Sequence, residues 1–90
     1  MRWHMTVTGR VQGVGYRYTA VTAARRIGVS GWVRNCRDGS VECEAQGTPE
    51  QLDRLLAALR EGSPWSRVAD IAVEDVPPLD GPQPQFAVRR

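Results

Sequence analysis

The chain has 90 residues and a mass of 10.0 kDa, the size of one small domain that buries about 60 to 65 per cent of its unfolded surface, so a single domain over residues 1–90 is expected. Hydrophobic residues make up 41% and charged residues 24%, which argues against a disordered or collagen-like chain, and the longest apolar runs fall far short of the ~20 residues needed to cross a bilayer. Twelve cations against ten acids leave a net charge of +2, and all twelve are arginine; without a lysine, Schiff-base chemistry and a phosphate-loop lysine are excluded.

The segment Met1-Arg2-Trp3-His4-Met5 lacks the apolar core and small-residue cleavage site of a secretory signal, so a cytoplasmic location is the expectation. Trp3, Met5 and Val7 alternate with His4, Thr6 and Thr8, which predicts a half-buried strand over about residues 2 to 9. A glycine-rich stretch, Gly9-Arg10-Val11-Gln12-Gly13-Val14-Gly15, follows it. Tyr16, Ala20, Ala24 and Ile27 then recur at helical spacing up to a stop at Gly28. Arg25 and Arg26 in the last turn of that helix suit the negative end of its dipole and need no functional reading.

Two segments, Val29 to Cys36 and Ser40 to Gln46, are joined by Arg37-Asp38-Gly39 and read as a hairpin with Gly39 in the left-handed position. The register that pairs Cys36 with Ser40 also pairs Val33 with Cys43 and Asn35 with Val41. It offsets the two cysteines and speaks against a disulfide between them. Their spacing fits neither a redox pair nor zinc ligands. Thr48, Pro49 and Gln51 mark a capped second helix with Leu52, Leu55, Leu56 and Leu59 on one face and Gly62 at its end. Ala69, Ile71 and Val73 alternate in a fourth strand, Pro77 to Pro84 is a loop, and a short last strand holds Phe86 and Val88. The order β-α-β-β-α-β is the ferredoxin-like plan of the α+β class, an antiparallel sheet with both helices on one face.

In that plan the first two strands run parallel with the third between them, so the glycine-rich loop comes to lie across from Asn35 at a distance of roughly 10 Å. Glycines at positions 9, 13 and 15 let successive N–H groups turn inward, and the next helix adds its free N-terminal donors; such a concavity favours an anion. Arg17 sits in the first helical turn, where a cation opposes the dipole unless an anion is bound, and its fork matches phosphate oxygens. Arg10 and Arg34 add to the local potential, and the other nine arginines are left to composition. Asn35 lies on the core-facing side of its strand, a polar amide at an apolar register position that can orient a water. A tight turn with a solvated arginine and a turn-stabilising asparagine are the plainer alternatives.

Thr8-Gly9-Arg10-Val11-Gln12-Gly13-Val14-Gly15-Tyr16-Arg17, together with Gly31-Trp32-Val33-Arg34-Asn35 and Asp38-Gly39-Ser40-Val41-Glu42, resembles the acylphosphatase family. The likeness runs on through Ala45-Gln46-Gly47 into the second helix. It implies the ferredoxin-like fold and hydrolysis of acyl phosphates to a carboxylate and inorganic phosphate, without metal or organic cofactor. It also implies that Arg17 binds the phosphoryl group, that Asn35 positions the nucleophilic water, and that the loop amides of Gln12, Gly13, Val14, Gly15, Tyr16 and Arg17 cradle the phosphate. Cys36 follows the asparagine where many members carry threonine, which implies a less firmly held amide. Tyr16 replaces a frequent phenylalanine, with its hydroxyl expected near the helix edge.

His4 lies on the first strand, away from this corner, and reads as structural. Glu42 and Glu44 read as solvated charges on the open face of the sheet. Trp32, Trp65 and Tyr18 either line the approach to the cradle or serve strand packing, with packing the preferred reading, and no specificity pocket is identifiable beside the cradle. An RNA-binding domain of the same element order is disfavoured, because the third strand has no aromatic residue and carries two glutamates where phosphates would lie. A phosphate- or carbamoyl-phosphate-binding module with little turnover is the nearer alternative. The expected partner is a small acyl phosphate, with no nucleic acid and no membrane, and a monomer is the simplest state.

Overall fold

The computed structural model describes all 90 residues. The elements run β1 (Arg2–Arg10), α1 (Tyr16–Ile27), β2 (Ser30–Asn35), β3 (Val41–Gln46), α2 (Pro49–Glu61), β4 (Arg67–Val76) and β5 (Ala87–Val88). The sheet order is β4-β1-β3-β2-β5, the ferredoxin-like arrangement with a fifth strand added. β1 pairs antiparallel with β3 and β4, and β2 antiparallel with β3. The added strand runs parallel to β2, with Val33 opposite Val88, so the sheet is mixed rather than wholly antiparallel.

Alternation sets which face is buried. Met5 and Val7 on β1, Val33 on β2, and Val41, Cys43 and Ala45 on β3 are each buried, and the register places Met5 opposite Cys43 and Val7 opposite Val41. The helices close this face with Tyr16, Ala20 and Ala24 from α1 and Leu52, Leu55 and Leu59 from α2, while Ile27 and Leu56 pack at the margin. Phe86, just before β5, is fully buried in the same cluster. Arg25 at the end of α1 donates to the Phe86 carbonyl at 2.9 Å, so this arginine ties the helix to the last strand. β4 is an edge strand and stays largely exposed, with Val73 at 41%.

The β2–β3 register is the one the hairpin turn requires, with Asn35 opposite Val41 and Val33 opposite Cys43. Gly39 takes φ 94°, and Asp38 accepts from the Ser40 amide at 3.0 Å and its hydroxyl at 2.6 Å. These bonds hold the Asp38 carboxyl below its usual pKa. Both cysteines are free thiols, and burial pushes Cys43 up to about 12.

The opposite face of the sheet is polar, and the two glutamates of β3 are paired there rather than solvated. Buried Arg2 donates to Glu44 at 2.7 Å, and Glu42 takes Arg34 at 2.5 Å and His4 at 3.0 Å. The guanidinium groups of Arg34 and Arg89 both stand over the Trp32 ring, 5.6 and 4.8 Å from its centroid. Burial works to raise the Glu42 pKa, but hydrogen bonds and charge from Arg34 and His4 outweigh it and hold the carboxyl below its usual range. A carboxyl lowered by folding stabilises the fold above its unfolded pKa of ~4.3, and that contribution is lost as pH falls through the lowered value. Arg34→Ala should therefore shift the acid-unfolding midpoint, followed by circular dichroism, to higher pH. The half-exposed pair should cost about 1 kcal/mol or less at neutral pH.

Candidate active site

The loop between β1 and α1 forms one wall of a cavity of about 460 Å³, together with the first turns of α1 and the end of the chain; Gly13, Gly15, Tyr16 and Arg17 line it. Gly13 and Gly15 adopt φ 71° and 77°, and a methyl group at either would meet nothing within 4 Å. They are needed for their left-handed backbone and not for lack of room. Gly9 serves differently. It lies at a register shift between β1 and β4 with φ 121°, and a Cβ there would stand 2.1 Å from the Arg67 carbonyl oxygen. It belongs to the sheet, not to the cradle.

The two helix N-termini make a controlled comparison. α2 begins with Thr48, whose hydroxyl accepts from the Gln51 amide while the Gln51 side chain accepts from the Thr48 amide, a complete capping box. α1 begins at Gly15, has no side-chain cap and carries no acidic residue in its first turn. The only charge there is Arg17, half-buried and free of any ion pair, since the three in the molecule all lie on the open sheet face. Open backbone donors and an unpaired guanidinium at one helix end make an anion-binding corner.

Gln12 and Val14 do not line the cavity; they brace it. The Gln12 side-chain amide donates to the carbonyls of Cys36 at 2.6 Å and Ser40 at 2.8 Å, joining the loop to both ends of the β2–β3 turn. The buried Ser63 hydroxyl donates to the Val14 carbonyl at 2.7 Å. The Tyr16 hydroxyl is buried, not at the helix edge, and donates to the Leu59 carbonyl in the last turn of α2 at 2.7 Å. Burial raises its pKa well above the usual phenol value.

Asn35 closes β2, one residue before the carbonyl that Gln12 holds. Its side chain is exposed rather than tucked under the helices. No protein hydrogen bond, from Cys36 or any other residue, fixes its amide, which leaves both its donor and its acceptor open. It does not line the cavity; the Gln12 bridge is what couples it to the loop. Arg34, by alternation, faces the other side and is engaged by Glu42, so it does not serve the site. Arg90 lines the cavity instead.

The bracing bonds of the Gln12 side chain, the Ser63 hydroxyl and the Val88–Arg90 end of the chain are thus site features that sequence reasoning missed, although Gln12 itself was expected in the cradle through its backbone amide. Contacts 24 and 49 residues apart leave no local signal. Removing the Gln12 bridge by Gln12→Ala should cost about 2 kcal/mol for two lost hydrogen bonds, read by urea unfolding. Turnover should fall about tenfold in kcat with little change in KM, as expected when one positioned group drifts and the anion contacts persist.

The sequence profile of acylphosphatase matches residues 3–88 of the chain. The chain belongs to the acylphosphatase family. It is 54% identical over 90 residues to the acylphosphatase of Bifidobacterium longum, covering 100% of this chain and 93% of that protein. The crystal structure of acylphosphatase from Bacillus subtilis superposes with a TM-score of 0.93 at 38% identity, covering 99% of this chain and 98% of that one. An acylphosphatase structure from Coxiella burnetii gives 0.88 at 34% identity, with 98% and 90% covered. Acylphosphatase membership thus extends over nearly the whole chain, including the loop, Asn35 and the last strand.

Proposed function

We propose that this domain hydrolyses acyl phosphates to a carboxylate and inorganic phosphate, with the phosphoryl group held by Arg17 and by the loop amides that reach the cavity, at Gly13, Gly15, Tyr16 and Arg17, and the attacking water oriented by Asn35. The observation that carries the reading is the uncapped N-terminus of α1 with an unpaired Arg17 beside it, in a chain of the acylphosphatase family. In the first turn Arg17 is repelled by the helix dipole, and a phosphoryl dianion would turn that repulsion into a bridged attraction.

The chemistry follows from charge and leaving-group strength. Water attacks phosphorus, the bond from phosphorus to the acyl oxygen breaks, and the carboxylate leaves with the bonding pair. A carboxylate has a conjugate acid near pKa ~4 and departs without being protonated, so no general acid is required. No aspartate, glutamate or histidine lines the cavity, and the water's proton passes to a phosphate oxygen of the substrate itself. The protein supplies position and positive potential, the main needs of phosphoryl transfer. Asn35, with donor and acceptor both open, accepts a hydrogen bond from the water and leaves a lone pair aimed at phosphorus.

No three histidine, cysteine, aspartate or glutamate side chains gather into a metal-holding group, and the phosphate contacts named above need none. The test is phosphate release from an acyl phosphate in excess chelator. Release well above the uncatalysed rate and indifferent to chelator is expected. Saturable binding of inorganic phosphate with no release would instead identify a binding module, and release that requires a metal would overturn the mechanism.

A further inference from the structure

A second cavity, of about 250 Å³, opens between the two helices. Its lining includes Ala23 of α1, Ala58 of α2 and Gly62 just after α2, side chains too short to fill the space between the helices. Thr19 and Thr22 line it as well, and their hydroxyls donate back to the Gly15 and Tyr18 carbonyls at 3.2 and 2.9 Å. Each hydroxyl oxygen therefore faces a ligand as an acceptor only. Tyr18, 77% exposed and so not packed on a strand, adds an aromatic ring.

Two side chains of opposite charge border this cavity, Arg26 of α1 and Glu61 of α2, and neither is in an ion pair. Helix direction sets how they meet. Tyr16 at the start of α1 bonds to Leu59 in the last turn of α2, so the helices run antiparallel, and side chains lean towards the N-terminus of their own helix. Arg26 thus leans along α1 towards the end where Glu61 stands, and Glu61 leans back along α2 to meet it. They converge over the cavity without closing on each other. Glu61 is also the last residue of α2, where an anion is opposed by the helix dipole. It is the counterpart of Arg17, a charge that its own helix disfavours and that a ligand of opposite sign would relieve.

We infer that the interhelical cavity binds a free α-amino acid. Glu61 and the Thr19 and Thr22 oxygens hold its ammonium group, Arg26 holds its carboxylate, and its side chain lies against the Tyr18 ring. A ligand with one charge leaves Arg26 or Glu61 unmatched, whereas a zwitterion matches both. The site is separate from the phosphate cradle and does not depend on the proposed hydrolysis.

The experiment titrates L-phenylalanine into the isotope-labelled protein with inorganic phosphate present to occupy the cradle, and follows backbone amides by NMR. The Ala23, Ala58 and Gly62 signals should shift saturably at millimolar ligand, while those of Gly13 and Gly15 stay in place. Two analogues that each lack one charge, 3-phenylpropionate and phenethylamine, should bind about fivefold more weakly, the upper worth of a solvent-exposed ion pair. In Glu61→Gln phenylalanine should bind no better than phenylpropionate, and in Arg26→Gln no better than phenethylamine. Both residues are exposed, so folding is preserved, which a thermal melt checks. Absence of saturable shifts, equal affinity for the three compounds, or an unchanged phenylalanine affinity in the two variants overturns the site. Shifts confined to Gly13 and Gly15 would place the amino acid in the cradle and overturn it as well.

Discussion

Replacing Arg17 by alanine should lower phosphate release from an acyl phosphate by about 10³-fold or more, the scale on which a single arginine stabilises a transferring phosphoryl group. Inhibition by inorganic phosphate should be lost with it, because the same guanidinium meets the product. Arg17 makes no hydrogen bond or ion pair within the protein and sits in the uncapped first turn of α1. Its removal also relieves an unfavourable charge–dipole contact. The ligand-free variant should therefore be as stable as the wild type or more so, by a few tenths to about 1 kcal/mol. Activity and stability moving in opposite directions marks a residue kept for its ligand. A structural arginine would lose both, and a thermal melt beside the kinetic assay separates the cases. Arg17→Lys should recover only part of the loss, since a point charge cannot match two phosphate oxygens at once.

Asn35→Ala should divide the two properties that Arg17 holds together. A misplaced nucleophile costs on the order of 10²-fold in rate, and here the loss should fall on kcat while inhibition by inorganic phosphate stays near the wild-type value. The side chain is exposed and unbonded, so stability should change by no more than about 0.5 kcal/mol. Equal losses in phosphate affinity and kcat would place Asn35 among the phosphate contacts and contradict its role as a water-positioning group. The Gln12→Ala variant offers an internal comparison: it should resemble Asn35→Ala in its kinetic split but differ in losing stability as well.

The elements were legible in the sequence wherever a local cause acts alone. The alternation of Met5 and Val7, the Asp38-Gly39 turn and the Thr48–Gln51 capping box each specify their own conformation, and the observed registers follow from them. Gly13, Gly15 and Arg17 were legible for the same reason, since a left-handed turn and a helix dipole are local. Asn35 was legible only in part. Its register face came from alternation, but its exposure is a tertiary matter. The glutamates of β3 show the same limit: alternation put them on the open face, while their engagement by Arg2, His4 and Arg34 required the neighbouring strands. For Tyr18 the sequence favours packing over lining the approach, because aromatic residues usually pack, and nothing local marks one that does not. Val88 and Arg90 reach the cavity only because a two-residue strand docks in parallel on the far edge of the sheet.

The hydroxyls of Tyr16 and Ser63 have one further consequence. Each spans more than forty residues of sequence to fasten the loop and first turn at one end of α1 to the final turn of α2 or the residues just past it. The loop before α1 and the first turn of that helix are therefore tied at two points to the closing turn of the second helix and the residue that follows it. A ligand held at the loop would share its binding energy with a helix end that lies outside the cavity. The two ends behave as halves of one clasp, and the segment from Ser63 to Ser66, itself knotted by Ser66 accepting from the Ser63 amide and donating to its carbonyl, is its catch.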